Sequence, residues 1–387
     1  MEKPAHYQDP PPFSLEAQGH AFTFYPDGAD RRAAMLDMIG EARVSLKLAF
    51  YIFDRDTVGG EVRDALVAAA RRGVAVTLIV DGFGAKADEE FFADLVEAGG
   101  AFHVFLAKWT RRALIRNHQK ILLVDDEVAM LGGFNIADSY FAAPQENGWN
   151  DLGFRVEGAV VQQVAEWFSE LLAWVGNKSA QFRDIRRRVR NWDGGDGPVR
   201  LLIGGPSRRL SSWARCVGED LERGQRLDML MAYFSPNKSL RRRIRSIARR
   251  GQANLVLAGK SDNAATLGAH RALHRRLLEA GARIWEFDAC KLHTKLIVVD
   301  DVTYLGSANF DMRSLYVNLE IVLRIEDTAL ADRMRELVAH HLPGSREVTH
   351  AVLAQRSTPW TRAKWWASWF LVSVVDYTVS RKLNLGL

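Results

Sequence analysis

The sequence predicts an α/β protein built from two similar halves in tandem, and three observations indicate this class. Apolar runs of strand length alternate with amphipathic stretches of helix length along the 387 residues, which is the pattern of sheets covered by helices. The order of these segments occurs twice, at a period far longer than that of solenoid repeats. A His-x-Lys motif closes each copy, so we expect two equivalent halves.

Each copy opens with an apolar strand followed by a helix that ends in Ala-Arg-Arg-Gly. The basic pair lies where the negative end of the helix dipole attracts cations. Gly73 and Gly251 are then expected to end the two helices in the left-handed conformation. The predicted strand and helix are 44–53 and 61–72 in the first copy, and 227–234 and 240–250 in the second.

A second strand, a second helix and a third strand follow in both copies. The second helices close on Leu-x-Glu-Ala-Gly, at Gly99 and at Gly281. This β-α-β-α-β order predicts mostly parallel sheets with helices on their faces. The predicted strands are 74–80 and 101–106 in the first copy, and 253–258 and 283–287 in the second.

The domain boundaries follow from the repeat and from shifts in composition. The stretch between the copies is rich in arginine and then in glycine, which favours a linker with at most a short basic helix. We predict an N-terminal extension at 1–20, a first half at 21–176, a linker at 177–198, a second half at 199–345 and a Trp-rich tail at 346–387.

Charge and cysteine content restrict the setting of the protein. Its 52 basic and 47 acidic residues give a formal net charge of +5, a mild excess that suits anionic lipid or nucleic acid without choosing between them. Cys216 and Cys290 are the only cysteines, and the polar, proline-rich first 20 residues show no charged-then-apolar leader. We therefore expect a reducing, cytoplasm-facing location.

The two motifs are His118-x-Lys120 and His293-x-Lys295. Residues two apart on a strand point to the same side, so each motif presents an imidazole beside an ammonium group, a pair suited to a phosphate. Four apolar residues follow each lysine, which indicates a strand buried on both faces that would hold the pair rigidly.

Two pairs of acidic residues accompany the motifs. Asp125 and Asp300 lie an odd number of residues from their lysines, so we expect them to support the site without contacting substrate. Asp151 and Glu320 come next, each followed at the same spacing by Arg and Glu. A carboxylate bound to one imidazole nitrogen fixes the tautomer and frees the other nitrogen, and we assign that orienting role to both.

Less specific interpretations apply to single features. One His-x-Lys is most often an ordinary strand edge, but two copies in near-identical register favour catalysis, with an inactive duplicate as the alternative. His270 and His274 lie four apart on a predicted helix. Without a third ligand at a suitable spacing, we interpret them as part of a solvated basic face and not as zinc ligands.

The C-terminal tail contains four tryptophans flanked by arginine and lysine. Its apolar core, 365–375, is shorter than the roughly 20 residues that a membrane-spanning helix needs. Aromatic rings with flanking cations are typical of a segment that lies in the membrane interface. An ordinary helix docked on the core is the alternative, and the tryptophans favour the interface.

The duplicated His-x-Lys-x4-Asp motif, followed by Gly-Gly or Gly-Ser and then x-Asn, resembles the signature of the phospholipase D superfamily. The stretch 306–320 of the second copy is similar to bacterial cardiolipin synthases of the short, peripheral type, and the likeness covers about 22–343. The resemblance implies two tandem phospholipase D-like α/β/α sandwich halves, packed as a pseudo-twofold pair around one active site.

The resemblance also implies a set of roles, with no metal or other cofactor. His118 would attack phosphorus to give a phosphohistidine, while His293 would act as acid and base. The implied catalytic set is His118, Lys120, Asp125, His293, Lys295 and Asp300, with Asn135, Asn309 and Ser307 binding phosphate oxygens and Asp151 and Glu320 orienting the histidines.

The activity that the resemblance predicts is phosphatidyl transfer between phospholipids, with phosphatidylglycerol as donor and acceptor. The expected partner is anionic phospholipid at the cytoplasmic face of the cell membrane, where the protein would be peripheral, with no obligatory nucleic acid. The alternatives are a phospholipase D that gives the same intermediate to water, a nuclease or other phosphodiesterase on the same scaffold, and a non-catalytic lipid-binding protein.

Overall fold

Two eight-stranded sheets, one from each half, form the framework of the protein. The computed structural model describes residues 7–105, 115–177, 179, 181–207 and 210–375. The two sheets share one order of strands over six positions, so the predicted pair of tandem α/β halves is confirmed.

The first half contains the following helices and strands in chain order. They are β1 (Phe13–Ala17), β2 (His20–Tyr25), α1 (Gly28–Glu41), β3 (Ser45–Phe50), α2 (Thr57–Arg71), β4 (Ala75–Asp81), α3 (Ala93–Glu97), β5 (Ala101–Phe105), β6 (Ile121–Val124), β7 (Val128–Gly132), β8 (Trp149–Asn150), β9 (Gly153–Glu157) and α4 (Val160–Val175), with 3-10 turns at Asp138–Tyr140 and Pro144–Glu146.

The second half repeats this order from β10 onwards, after one helix of the connecting segment. The elements are α5 (Phe182–Asn191), β10 (Val199–Gly204), α6 (Ser212–Arg223), β11 (Arg226–Met231), β12 (Phe234–Ser235), α7 (Lys238–Arg250), β13 (Gln252–Ala258), α8 (Ala264–Leu278), β14 (Arg283–Phe287), β15 (Lys291–Leu292), β16 (Lys295–Val299), β17 (Val302–Gly306), β18 (Phe310–Asp311), α9 (Met312–Tyr316), β19 (Glu320–Glu326), α10 (Thr328–His340), β20 (Ser345–Glu347), α11 (His350–Arg356), α12 (Pro359–Phe370) and a π-helical turn at Leu371–Val375.

The sheets are mixed, so the prediction of mostly parallel sheets is wrong. The shared order is β9-β7-β6-β3-β4-β5 in one half and β19-β17-β16-β11-β13-β14 in the other. Within the two eight-stranded sheets, parallel pairing occurs only among the three strands joined through helices, while the strand after each His-x-Lys forms a hairpin and antiparallel pairs. Three residues separate β6 from β7, which is far too short for the crossover that parallel strands require.

Three of the four glycines that follow the repeated helices have the left-handed conformation, and Gly251 does not. Gly73, Gly99 and Gly281 all have positive φ, between 92° and 95°. Gly251, in contrast, has φ of −152°, so the predicted left-handed stop is wrong there. A Cβ at Gly251 would lie 1.9 Å from the carbonyl oxygen of Gln225, so close backbone packing is the reason that this position needs glycine.

A shared apolar core holds the halves together. One cluster of buried side chains combines Leu123 and Leu131 of the first sheet with Leu296 and Leu305 of the second. Burying each such side chain contributes roughly 1.5–3 kcal/mol. The facing ends of β6 and β16, where the two motifs begin, are therefore positioned by packing across the pseudo-twofold pair.

The connecting segment and the tail both pack on this framework. Helix α5 lies within 177–198 and buries Ile185 and Val189. Helix α12 docks on the second half through Trp365 and Trp369, which pack against its core. Within the part of the chain that the structure describes, no helix combines the length and the apolar character needed to cross a bilayer.

Candidate active site

The two His-x-Lys motifs meet because each is hydrogen-bonded to the main chain of the other half. The N–H of His118 donates to the carbonyl of Leu319 at 3.0 Å, and the N–H of Leu319 donates to the carbonyl of Arg116 at 2.9 Å. In the same way the N–H of His293 donates to the carbonyl of Asn150 at 2.8 Å. Leu319 and Asn150 directly precede Glu320 and Asp151 in the chain. Each histidine is therefore bonded to the residue next to the acid of the opposite half.

The carboxylates cross between the halves. Nδ1 of His118 lies 3.0 Å from Oε2 of Glu320, and Nδ1 of His293 lies 2.5 Å from Oδ2 of Asp151. Both acids and both imidazoles are buried. Because Nδ1 is engaged in each ring, Nε2 is the nitrogen left to act on a substrate.

Two serines hold Glu320. The hydroxyl of Ser307 donates to Oε2 at 2.5 Å, and the hydroxyl of Ser314 donates to Oε1 at 2.7 Å. Ser307 also accepts the N–H of Ile321 at 3.0 Å. In this structure Ser307 thus contacts the carboxylate of Glu320, whereas the sequence led us to expect a contact with phosphate.

Asp151 is held without a serine. Its Oδ1 accepts the N–H of Leu152 at 2.8 Å. Gly133 occupies the position of Ser307, and a Cβ there would lie 2.4 Å from Oδ1 of Asp151. Glycine at this position therefore leaves the room that the acid fills.

A buried arginine, which no motif in the sequence marks, lies behind the main chain of Asp151. The guanidinium of Arg31 donates to the carbonyls of Asp151, Tyr25, Pro26 and Tyr140 at 2.5–3.1 Å. The side chain is fully buried. These hydrogen bonds connect α1 and the turn at Asp138–Tyr140 to the chain segment that carries Asp151.

Both lysines are buried beside their own histidines. Nζ of Lys120 donates to the carbonyl of His118 at 2.6 Å. Nζ of Lys295 donates to the carbonyl of His293 and lies 2.9 Å from its Nδ1. Burial lowers the pKa of Lys120 to about 7 and that of Lys295 to about 8.

The surroundings of His293 and Asp151 lower the pKa of both groups. Burial and the neighbouring Lys295 lower the pKa of His293 to about 3. Burial would raise the pKa of Asp151, but Lys295 and His293 lower it to about 2. Burial also lowers the pKa of His118. At neutral pH both imidazoles are therefore neutral, and a neutral imidazole can act as a nucleophile or as a general base.

Both asparagines are buried, but their amide oxygens differ in hydrogen bonding. Asn135 accepts the N–H of Ile52 through Oδ1 at 3.1 Å. Oδ1 of Asn309 is buried and has no hydrogen-bond partner among the described residues. The latter side chain therefore keeps polar capacity for a bound molecule.

Asp125 and Asp300 are not brought into the centre, so including them in the catalytic set is corrected. Each lies in the hairpin turn five residues beyond its lysine, about 16 Å along the strand, with φ of 54° and 47°. Oδ1 of Asp125 accepts the N–H groups of Val44 and Ser45 at 2.8 and 2.7 Å. Asp300 receives the equivalent bonds from Gln225 and Arg226 at 3.0 and 2.8 Å.

Aromatic rings line the two histidines unequally. Tyr51 lies 5.0 Å from His118 between ring centroids. His293 has Tyr140, Trp149 and Tyr233 at 5.0, 5.2 and 6.4 Å. Tyr51 follows β3 and Tyr233 follows β11, but the register of the two halves aligns Tyr233 with Ile52, so aligning the two copies would not have paired the tyrosines.

The pair His270 and His274 is not solvated, which corrects that interpretation. Both rings are buried, with Nδ1 of His270 3.0 Å from Nε2 of His274. Glu286 lies within 4.8 Å of both and would complete a metal-ligand set. However, Glu286 accepts hydrogen bonds from Arg271 and Arg356, and these cations oppose a further positive ion.

Comparisons with known proteins agree with this geometry. The family profile described as "Cardiolipin synthase, PLD-like domain" matches residues 35–172 and 220–342. The major cardiolipin synthase of Bacillus subtilis is 30% identical over 352 residues, covering 87% of this chain and 72% of that protein. A cardiolipin synthase of Clostridium perfringens is 29% identical and covers 89% of this chain and 75% of that one.

Solved structures share the fold. The crystal structure of phosphatidylserine synthase from Haemophilus influenzae matches with a TM-score of 0.71 over 96% of this chain and 97% of that chain, at 14% identity. A polyphosphate kinase from Porphyromonas gingivalis matches with a TM-score of 0.59 over 87% and 49%. At this identity the two likenesses bear on the fold alone.

Proposed function

Since this chain belongs to the family of cardiolipin synthases with phospholipase D-like domains, we propose that it joins two phosphatidylglycerols by phosphatidyl transfer. Its relatives in several bacteria are cardiolipin synthases, and they match most of the chain. The products would be cardiolipin and glycerol. We place the reaction at the cytoplasmic face of the cell membrane, with the protein bound peripherally.

The first step makes a covalent intermediate. Nε2 of His118 attacks the phosphorus of the donor lipid, forming a P–N bond as the P–O bond to the terminal glycerol breaks. His293 gives a proton to the departing glycerol oxygen. The negative charge of the bound phosphate raises the proton affinity of this imidazole above that in the empty site. The choice of His118 as nucleophile rests on the family resemblance.

The second step reverses the first with another alcohol. A glycerol hydroxyl of the second phosphatidylglycerol attacks the phosphohistidine, and His293 takes its proton. The P–N bond breaks and cardiolipin forms. Water in place of this hydroxyl would give phosphatidic acid, so the exclusion of water from the acceptor position separates a transferase from a hydrolase.

Charge stabilisation comes from side chains. Burial and the neighbouring Lys295 lower the pKa of Lys120, and a phosphoryl group bound between the two lysines would relieve that repulsion. Asn135 and Asn309 complete the proposed phosphate contacts. Asp151 and Glu320 keep each ring in one tautomer during proton transfer.

The observation that carries the proposal is the exchange of carboxylates between halves. Two His-x-Lys pairs and two acids converge on one buried centre, with each histidine bonded to the acid of the other half. An inactive duplicate would have no need to keep both crossed pairs, so the arrangement supports a single two-histidine reaction.

The test is turnover of phosphatidylglycerol liposomes with chelator present, followed by separation of the lipid products. We expect cardiolipin and an equimolar amount of glycerol from the unaltered protein, and neither from His118→Ala or His293→Ala. His103→Ala is the matched control, because His103 lies partly exposed on β5 outside the centre.

Other outcomes would redirect the proposal. Phosphatidic acid without cardiolipin would make the protein a phospholipase D. No lipid turnover, with cleavage of nucleic acid or another phosphodiester, would overturn the lipid substrate. Cardiolipin formation by the His118→Ala, His293→Ala double variant would overturn the mechanism.

A further inference from the structure

We infer that the protein has a second lipid site, separate from the catalytic centre, which holds the phosphate headgroup of an anionic phospholipid while that lipid stays in the bilayer. The site is a pocket of about 480 Å³ between α8 and the C-terminal helices. It rests on the proposed function in one respect, that the substrate is lipid. Its lining includes Arg275, Arg276, His350, Arg362, Trp365 and Trp366.

Unpaired positive charge lies at the rim of this pocket. Arg276 and Arg362 have no carboxylate partner within the described residues, whereas Arg275 pairs with Glu279 at 2.9 Å. The guanidinium of Arg276 stands over the ring of Trp366 at 5.6 Å from its centroid. A cation resting on an aromatic face remains free to meet a phosphate from its other side.

A neighbouring pocket, which shares Arg271, Leu353 and Trp365 with this one, holds a network of ion pairs. Glu286 is buried and accepts hydrogen bonds from Arg271 at 2.8 Å and from Arg356 at 3.0 Å, with Arg346 at 3.6 Å. These arginines are therefore engaged with an acid of the protein. Arg276 and Arg362 are exposed, so a headgroup in the plane of the membrane would reach their unpaired charge.

Helix α12 presents two different faces. Trp365 and Trp369 pack against the core, while Trp360 and Phe370 are 81% and 54% exposed. Leu371, just beyond the helix, is 53% exposed. Large exposed apolar side chains beside cations are what a helix in the headgroup layer requires. This combination favours an anionic bilayer over a soluble anion, which would gain nothing from the rings.

Helix α8 connects the lipid pocket with the catalytic centre. The chain just before its first turn carries Ser261 and Asp262, whose side chains interact with the hydroxyl of Tyr233, and the Tyr233 ring lies 6.4 Å from His293. At 1.5 Å per residue the helix is about 22 Å long. A lipid held near its far end would fix how far the mouth of the centre stands from the bilayer.

Close packing keeps α12 on this helix. A Cβ at Gly268 would lie 2.6 Å from Oγ of Ser368. Replacing Gly268 with leucine should therefore push α12 off α8 while the rest of α8 stays folded. This substitution gives a way to disturb the site without altering its charges.

The experiment measures binding of the full chain to sedimented vesicles of phosphatidylcholine, with and without phosphatidylglycerol. Each cation near an anionic surface contributes about fivefold to partitioning, so Arg276→Gln with Arg362→Gln should weaken binding to the phosphatidylglycerol vesicles about 25-fold. The matched control is Arg43→Gln with Arg71→Gln, two exposed arginines of the first half, which should bind within about twofold of the unaltered protein.

Activity separates this site from the proposed function. With phosphatidylglycerol dispersed in detergent micelles, the Arg276/Arg362 variant should turn over at the unaltered rate, whereas turnover on vesicles should fall with binding. Gly268→Leu should likewise lower turnover on vesicles and leave turnover in micelles unchanged. If the unaltered protein bound vesicles but turned over no lipid in either assay, a loss of vesicle binding in the Arg276/Arg362 variant would support the second site and refute the proposed function.

Three results would overturn the second site. Vesicle binding by the Arg276/Arg362 variant equal to that of the unaltered protein is one. Equal binding of the unaltered protein to vesicles with and without phosphatidylglycerol is another. An equal loss of activity in micelles and on vesicles, with binding retained, would assign these arginines to the reaction instead.

Discussion

The two halves place their histidines by the same main-chain contacts, yet they hold the facing carboxylates by different means. Glu320 lies in a pocket of neutral donors, Ser307 and Ser314. Asp151, one methylene shorter, lies against Gly133, with the buried Arg31 behind its main chain. The comparison teaches that the geometry at the histidines is what both halves preserve, while the support behind each acid has diverged.

The largest expected effect comes from the histidines themselves. His118→Ala and His293→Ala should each lower kcat by at least about 10⁴-fold, and the double variant should be no worse, because the pair acts as a unit. Lipid labelled in its phosphate should leave a covalent label on His293→Ala but not on His118→Ala. Label on His118→Ala would assign the nucleophile to the second half.

Neutralising the two acids should lower kcat in both cases but should lower the stability of the fold by different amounts. Glu320→Gln and Asp151→Asn should each lower kcat by roughly 10²–10⁴-fold through the wrong tautomer. Asp151→Asn should also destabilise the fold more, since it leaves the buried Arg31 and Lys295 without their nearest negative charge. Kinetics and urea unfolding check both effects, and equal stability of the two variants would contradict the assigned role of Arg31.

Exchanging the small residues behind the acids sharpens the comparison further. Gly133→Ala places a Cβ 2.4 Å from Oδ1 of Asp151 and 3.0 Å from Nζ of Lys295, so kcat should fall about 100-fold as the acid moves. Ser307→Ala removes one of the two serine hydroxyls that donate to Glu320 and should lower kcat about tenfold. If Gly133→Ala were the milder variant, the close packing of the first acid would have no catalytic consequence.

The lysines predict a pH dependence in which activity and stability move in opposite directions. Both ammonium groups are charged below pH 7, and kcat/KM should fall as pH rises through about 7 for Lys120 and about 8 for Lys295. The folded pKa values lie below the usual value for lysine, so the unfolded chain binds more protons in that range and the free energy of unfolding should rise with pH. A stability that falls together with activity would contradict the buried, depressed lysines.

The smallest effect is expected where the halves are most alike. Asp125→Asn and Asp300→Asn keep a side chain that tolerates positive φ but weaken the bonds to the preceding strand. Each should lower the free energy of unfolding by about 1–2 kcal/mol and leave kcat within about twofold. A large loss of kcat in either variant would return these aspartates to the active site.

The sequence alone predicted the duplicated α/β halves and the residues that meet at the centre, because both depend on local patterns. Strand and helix lengths follow from apolar periodicity, and His118 and His293 stand out because the same motif recurs in register. The pairing of Glu320 with His118 could not be foreseen, since it depends on how the sheets pack. Arg31 lies in an ordinary helix with no motif around it, and only its burial marks it.

Sequence reasoning failed where a local pattern allowed two structures. An apolar run after His-x-Lys fits a parallel or an antiparallel strand equally well, and only the short turn at Asp125 and Asp126 decides for a hairpin. His270 and His274 have helical spacing on a basic helix, but their burial follows from the packing of α8 against β14 and Glu286. Spacing along the chain does not report which face of a helix is covered.

The exchange of carboxylates has a consequence for biosynthesis. A nascent chain that has emerged only as far as residue 300 already carries both histidines, but His118 has no carboxylate until Glu320 has been made and β19 has joined its sheet. If the proposed reaction is correct, the site is thus incomplete until Glu320 has been made and both halves have closed on each other. Separately expressed halves should be inert alone and regain turnover when mixed, as complementing fragments do.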